Sequence, residues 1–298
     1  MVNLPTPIEE LNHPLLEEKK IKLFVKRDDL IHPEIMGNKW RKLKYNLLKM
    51  KEEGKEAIVT MGGAFSNHIA ATAAAAKEYG FNAVGIIRGN ELGINSNHTL
   101  KLAHEKGMQL EFVDRETFRS CREDSSIIQS QFPDHYFLPE GGTNELAIKG
   151  CEEIFTEIQQ KFDVIVTPVG TGGTFAGLVK ATTQMVMGVS ALKGNFITSE
   201  IRSLLAKHYI INSNYEIISD YHFGGYGKIK PELIDFINWF KENFGILLDP
   251  IYTGKCFFAV WDMIKTDKFE KNLEIVLLHT GGLQGISGFN RKNENIIQ

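Results

Sequence analysis

The sequence predicts an α/β fold with parallel-rich open sheets, arranged as two domains. Three observations carry this expectation. Short β-rich apolar runs, each ending in glycine or a polar loop, are followed repeatedly by stretches with helical spacing. The runs are apolar throughout, as strands buried on both faces are. A chain of 298 residues is also long enough for two cores.

In chain order, the clearest strands are 57–61, 83–88, 110–113, 163–168, 216–219 and 274–279. Trp40, Leu43, Leu47 and Met50 share one helical face, residues 69–79 form an alanine-rich helix stopped by Gly80, and Pro231 opens a helix that closes at Gly245. No fixed-period repeat, low-complexity tract or flexible linker interrupts the pattern, so tightly joined domains are expected. The glycine pair in Glu140-Gly141-Gly142-Thr143-Asn144 marks a seam. It divides a larger unit, residues 1–40 plus 143–298, from a smaller one, residues 41–142.

A hydrophobic fraction of 43% with 24% charged residues excludes a disordered or fibrous chain. The formal charge of −3 gives no general attraction to nucleic acid or anionic membrane, leaving a small molecule as the expected partner. Cys121, Cys151 and Cys256 are odd in number and far apart, and no histidine clusters with them. Reduced, buried thiols and no metal site are expected. Residues 1–10 carry no basic stretch followed by an apolar run, and no segment reaches the ~18 apolar residues of a membrane span. The expected location is the cytoplasm.

Five segments carry chemistry. In Gly37-Asn38-Lys39-Trp40-Arg41-Lys42-Leu43 a lysine stands at a helix start, where the positive helix end and the neighbouring cations Arg41 and Lys42 favour the neutral amine of a carbonyl-trapping nucleophile. From this segment alone, a surface lysine in a basic helix start is the favoured reading. In Gly62-Gly63-Ala64-Phe65-Ser66-Asn67-His68, between a strand and a helix, successive N–H groups can bind a carboxylate or phosphate, while Ser66 and Asn67 could serve only as caps and His68 as a structural hydrogen-bonder.

Val169-Gly170-Thr171-Gly172-Gly173-Thr174 follows a strand and can wrap a phosphate in main-chain N–H groups and two hydroxyls. It lacks the Gly-Lys-Ser/Thr ending of a nucleotide-triphosphate loop and the Gly-x-Gly-x-x-Gly order of a dinucleotide site. A phosphate-bearing cofactor without a lysine clamp remains, or a tight structural turn. Asp249-Pro250-Ile251-Tyr252-Thr253-Gly254-Lys255 and His279-Thr280-Gly281-Gly282 complete the set, the second at the carboxyl end of a strand, where ligands of open α/β sheets gather.

Taken together and in this order, the five segments resemble the family of 1-aminocyclopropane-1-carboxylate deaminase and D-cysteine desulfhydrase, tryptophan-synthase-β-like enzymes of pyridoxal phosphate fold type II. The resemblance covers nearly the whole chain and implies an active site between the two domains. It implies pyridoxal 5'-phosphate held as a Schiff base on Lys39, which would also act as base at the substrate Cα. It further implies Asn67 on the cofactor's phenolic oxygen, Ser66 on the substrate carboxylate, and Gly170, Thr171, Gly172, Gly173 and Thr174 on the phosphate. Tyr226, in Gly224-Gly225-Tyr226-Gly227, and Tyr252 match the two tyrosines that face substrate, with Thr280 toward the pyridine nitrogen. A homodimer is implied as well.

Thr253 bears on the substrate. The ring-opening deaminases carry glutamate directly after the matching tyrosine, and a carboxylate near the pyridine nitrogen keeps the ring a strong electron sink. A neutral threonine does not, whereas elimination of a β-thiolate needs less help. His68 points the same way, since the ring-opening enzymes resemble one another in having glutamine there. The expected activity is therefore a lyase or deaminase acting on a small amino acid by α,β-elimination of D-cysteine. Ring opening of 1-aminocyclopropane-1-carboxylate is the alternative, and a catalytically silent module binding a phosphorylated metabolite is the alternative from another class.

Overall fold

The computed structural model describes residues 1–194, 196–292 and 296–297. In chain order, β1 (Ile8–Leu11), α1 (Pro14–Lys19) and β2 (Lys22–Lys26) lead into α2 (Asn38–Glu52). Then come β3 (Ala57–Gly63), α3 (Asn67–Tyr79), β4 (Asn82–Arg88), α4 (His98–Glu105), β5 (Gln109–Val113), α5 (Arg115–Glu123), α6 (Ser126–Gln131) and β6 (Tyr136–Leu138). The remainder is α7 (Glu145–Thr156), β7 (Val164–Val169), α8 (Gly173–Ala181), β8 (Met185–Ser190), α9 (Phe196–Lys207), β9 (Tyr215–Ile218), α10 (Pro231–Phe244), α11 (Thr253–Lys265), β10 (Glu274–Leu278) and α12 (Gln284–Lys292).

Two sheets result. The larger runs β1-β2-β10-β7-β8-β9 and the smaller β5-β4-β3-β6. Every pairing is parallel except β1 with β2, which lies antiparallel at an edge. The uninterrupted apolar runs have a direct cause. Ile275 and Leu277 of β10 enter a core with Phe236, Phe240, Phe257 and Val260, while Val276 and Leu278 enter another with Phe175, Leu178, Val186 and Ile201. Both faces of the sheet are covered, so successive side chains are all buried. In the smaller sheet Ile58 packs with Leu43, Ala71 and Ala75 on one side, while Val59, Met61, Val84 and Ile86 meet Phe118 and Ile128 on the other.

The six strands legible in the sequence all occur, each displaced by no more than a residue or two at its ends. Four others had too little signal. β1 and β6 are short, β8 runs into glycine, and β2 is bracketed by lysines. Lys26 can end a central strand because its ammonium is paired with Glu157 at 2.6 Å and donates to the Thr6 carbonyl at 2.7 Å. That partner lies 131 residues away.

The same knot fixes the start of α2. Arg41 is wholly buried and reaches Asp28 at 2.6 and 2.8 Å and Glu157 through two bonds of 2.9 Å. Farther along α2, Lys44 and Tyr45 both bond Glu153 on α7. The three cysteines are free and buried.

Candidate active site

Loops at the carboxyl ends of β3, β7 and β10 converge with the first turn of α2 on one cavity of about 380 Å³. Lys39 opens onto it from that first turn. Gly37 makes the approach possible: its φ is +59°, and a Cβ there would lie 2.0 Å from the Thr280 carbonyl oxygen. Only glycine lets the β10 loop close over the lysine turn. Burial, and then the charge of Lys42, hold the Lys39 amine down at about 7. A large neutral fraction therefore exists at physiological pH. The expectation that Arg41 contributes is corrected by the structure, since its guanidinium turns away into the Asp28 and Glu157 knot.

Opposite the lysine, Gly170 to Thr174 join β7 to α8 and all five residues line the cavity. The first N–H groups of a helix have no partners within it, so α8 presents unspent donors here. Two side chains that the sequence reading left out brace the loop. Asn38 Nδ2 donates to Thr174 Oγ1 at 2.8 Å, and buried Lys42 donates to Gly141 O and Thr143 Oγ1 at 3.0 Å, with Thr171 Oγ1 at 3.5 Å. Burial lowers Lys42 to about 8. The loop thus has an ammonium beside it after all, delivered by α2 one turn beyond Lys39.

Ser66 caps α3 by accepting from the Ile69 N–H at 3.3 Å. Asn67 Oδ1 accepts from Gln284 Nε2 at 2.8 Å, which turns the Asn67 amide nitrogen into a donor of fixed direction. His68 is buried and sits 2.7 Å from Thr60 Oγ1, whose own proton goes to the Leu138 carbonyl at 2.8 Å. Its Nε2 must therefore carry the ring proton, leaving Nδ1 as an acceptor without a partner among the described residues. Burial, with Lys39 and Lys42 nearby, drives His68 well below its usual pKa, so it is neutral.

Tyr226 and Tyr252 meet edge to face with ring centroids 6.0 Å apart. Burial raises both phenols, so each is a proton donor rather than an anion at neutral pH. Each has a buried anchor the sequence did not mark. Asp249 accepts from the N–H groups of Ile251, Tyr252 and Thr253 at 2.8 to 2.9 Å, shaping the turn that carries Tyr252. Lys255 donates to the carbonyls of His222 and Gly225 at 2.9 and 2.8 Å, holding the turn before Tyr226.

Thr280 lines the cavity, but Thr253 does not. Wholly buried, Thr253 donates its hydroxyl to Asp249 Oδ1 at 2.7 Å and accepts from the Asp249 N–H at 2.8 Å. Twelve positions expected to meet cofactor or substrate therefore lie together: Lys39, Ser66, Asn67, His68, the five of the cup, Tyr226, Tyr252 and Thr280. The thirteenth acts on the backbone behind Tyr252. Arg88, Arg122, Glu140, Phe196 and Glu200 also line the cavity and had no motif to mark them.

The sequence profile of the family described as "Pyridoxal-phosphate dependent enzyme" matches residues 1–281, and the chain belongs to that family. Within it the relatives narrow the class to 1-aminocyclopropane-1-carboxylate deaminases and D-cysteine desulfhydrases. A Pyrococcus abyssi protein provisionally named 1-aminocyclopropane-1-carboxylate deaminase is 32% identical over 94% of this chain and 90% of its own. The D-cysteine desulfhydrase of Klebsiella pneumoniae is 27% identical over 97% of this chain and 95% of its own. A crystal structure of a 1-aminocyclopropane-1-carboxylate deaminase homologue superposes with a TM-score of 0.82 at 28% identity, covering 99% of this chain and 94% of that one. The protein is a pyridoxal phosphate-dependent lyase of fold type II. No described helix is long and apolar enough to cross a membrane.

The cavity suits this cofactor chemically. One part offers the donors a phosphate requires, namely the α8 N-terminus with Thr171, Thr174 and Lys42. Another part offers an amine lowered to about 7, as an aldehyde requires.

Proposed function

We propose that the chain catalyses α,β-elimination of D-cysteine or a related β-substituted amino acid, giving pyruvate, ammonia and sulfide. The observation that carries the reading is the Lys39 amine, lowered to about 7 and lining one cavity with the donor-bearing loop Gly170 to Thr174. Lys39 would hold pyridoxal phosphate through its aldehyde. Gly170 to Thr174 would take the phosphate, Asn67 the phenolic oxygen and Thr280 the ring nitrogen. When bound, the cofactor withdraws the electrons of the substrate's Cα–H bond.

The rest falls to the protein. Ser66 and the N–H groups at the start of α3 bind the α-carboxylate, and His68, neutral and accepting through Nδ1, receives a donor from the substrate side. Freed by the incoming amine, Lys39 Nζ takes the Cα proton. As the Cβ–S bond breaks, its electron pair leaves on sulfur and a protonated phenol of the Tyr226 and Tyr252 pair supplies the proton. Residues 41–142 would form the smaller domain of a cytoplasmic homodimer.

The threonine after Tyr252 supports desulfhydration through family resemblance alone, because Thr253 turns to Asp249 and does not line the cavity. The names of relatives 30–33% identical support the second reading, ring opening of 1-aminocyclopropane-1-carboxylate to 2-oxobutanoate and ammonia. Steady-state oxo-acid release from both substrates decides between them. A cofactor-loaded protein that makes no pyruvate from D-cysteine sinks the first reading.

A further inference from the structure

Beside the active-site cavity lies a second one of about 570 Å³, and the two share Gly63, Arg88, Arg122 and Tyr226 as lining. Four arginines surround it. Arg88 ends β4, in register with Gly63 of β3 and Val113 of β5, at the same carboxyl edge that presents the Ser66 loop. Arg115, Arg119 and Arg122 stand at i, i+4 and i+7 on α5, and the flank beside them buries Phe118 and Cys121, with Phe118 lining the same cavity. The fold thus turns one cationic stripe and one strand end onto a common space.

Glu91, Glu140 and Glu200 line the same two cavities, but the ion pairs made there by the arginines are long. Arg122 is 3.9 Å from Glu140 and Arg115 is 3.9 Å from Glu91, both beyond hydrogen-bond reach. Arg88 lies 5.7 Å from the Phe118 ring centroid and meets Glu140 only through space, without a hydrogen bond. Its Nη2 comes within 3.7 Å of where a Cβ on Gly63 would sit, three residues before Ser66. Planar guanidinium forks with unspent donors are suited to carboxylate, sulfonate or phosphate oxygens.

A free amino acid with a neutral side chain gains little from this field. Its ammonium and carboxylate cancel, and a cysteine thiol, with an ordinary pKa of about 8.5, is largely protonated at neutral pH. An amino acid of net charge −1 is attracted. We propose that the substrate carries a second anion on its side chain, bound by Arg88 and Arg122 where the two cavities meet. The proposal rests on the elimination reading and replaces the thiol by an anionic β-substituent. The Cα proton passes to Lys39, and the Cβ–O or Cβ–S bond breaks with its electron pair leaving on phosphate or sulfite. Hydrolysis of the remaining three-carbon unit gives pyruvate and ammonium, with no oxidant or reductant consumed.

The holoenzyme is assayed for pyruvate release from D-cysteine and from both enantiomers of O-phosphoserine and cysteic acid. One anionic substrate should exceed D-cysteine in kcat/KM by roughly tenfold or more, and the excess should shrink as salt is raised. In Arg88→Gln the ratio of the two kcat/KM values should fall by about tenfold, a ratio taken within one preparation and so insensitive to folding losses. Calorimetry with aspartate, whose β-carboxylate cannot leave, gives a readout without turnover: binding in the wild type, weakened about tenfold in Arg88→Gln.

D-cysteine preferred in the wild type, together with no heat from aspartate, overturns the proposal and leaves the elimination reading standing. Aspartate binding that depends on Arg88 with no pyruvate from any substrate upholds the anion site and sinks the elimination reading instead. Inorganic phosphate that binds as tightly as aspartate, with the same dependence on Arg88, overturns the claim that the anion belongs to the substrate.

Discussion

Replacing Glu157 by glutamine tests how the helix turn that carries Lys39 is held in place. The carboxylate accepts from Arg41 twice at 2.9 Å, from Lys26 at 2.6 Å and from the Thr6 N–H at 3.1 Å. Burial alone would raise its pKa. The hydrogen bonds and charge of Arg41, and then of Lys26, overcome this and hold the carboxyl at about 2 against an ordinary 4.5. Glutamine keeps the shape and removes the charge, leaving Arg41 with Asp28 as its one carboxylate and Lys26 with no carboxylate, only the Thr6 carbonyl. Removing one partner from such a group costs about 3–5 kcal/mol. A displacement of some 2.5 pH units corresponds to about 3 kcal/mol, in agreement.

The pH dependence follows from the depressed folded-state pKa. The carboxylate's contribution is complete above pH ~4.5 and is lost as pH falls through about 2. Urea denaturation should thus separate wild type from Glu157→Gln by about 3 kcal/mol at pH 7, and the gap should narrow steadily below pH ~4.5. A variant as stable as wild type at pH 7, or a gap unchanged near pH 2, refutes the reasoning.

Other consequences concern the cavity. Reconstitution of apoprotein with pyridoxal phosphate should accelerate as pH rises through about 7, the range in which the Lys39 amine becomes neutral, and level off above it. Stopped-flow absorbance measures this, and Lys39→Ala should abolish the borohydride-fixed label while leaving the circular dichroism unchanged. Lys42→Met should move that profile upward by removing the second cause of the Lys39 depression, and weaken cofactor affinity roughly tenfold, read by dialysis. Lys255→Met leaves the carbonyls of His222 and Gly225 short of a donor and should cost at least about 2 kcal/mol in urea denaturation. Thr253→Val loses its bond to Asp249, for about 1–3 kcal/mol, while Thr253→Ser restores it. Thr253→Glu sets a second carboxylate against Asp249 and should destabilise more than Thr253→Val under the same assay.

The local sequence was enough for the strand-loop-helix alternation, the six strands with covered faces and the motifs at strand ends. These depend on apolar spacing, turn residues and helix starts, all of which act within a dozen residues. The family resemblance then followed from the order of the motifs. What tertiary structure decided depends on partners far apart in the chain. Lys26 becomes a strand residue because Glu157 meets it, Lys42 reaches the phosphate loop because α2 lies against Gly141 and Thr171, and Gln284 aims Asn67 from 217 residues away. Thr253 is the sharpest case. Its sequence position suggests contact with the ligand, but Asp249 takes its hydroxyl and turns it into a support for the Tyr252 turn. The arginine stripe of α5 had no motif to mark it in the sequence. Only the packing of β4 beside β3 set it against Arg88 and the mouth of the site, since charge and spacing do not determine which surface a helix faces until the sheet beneath it has formed.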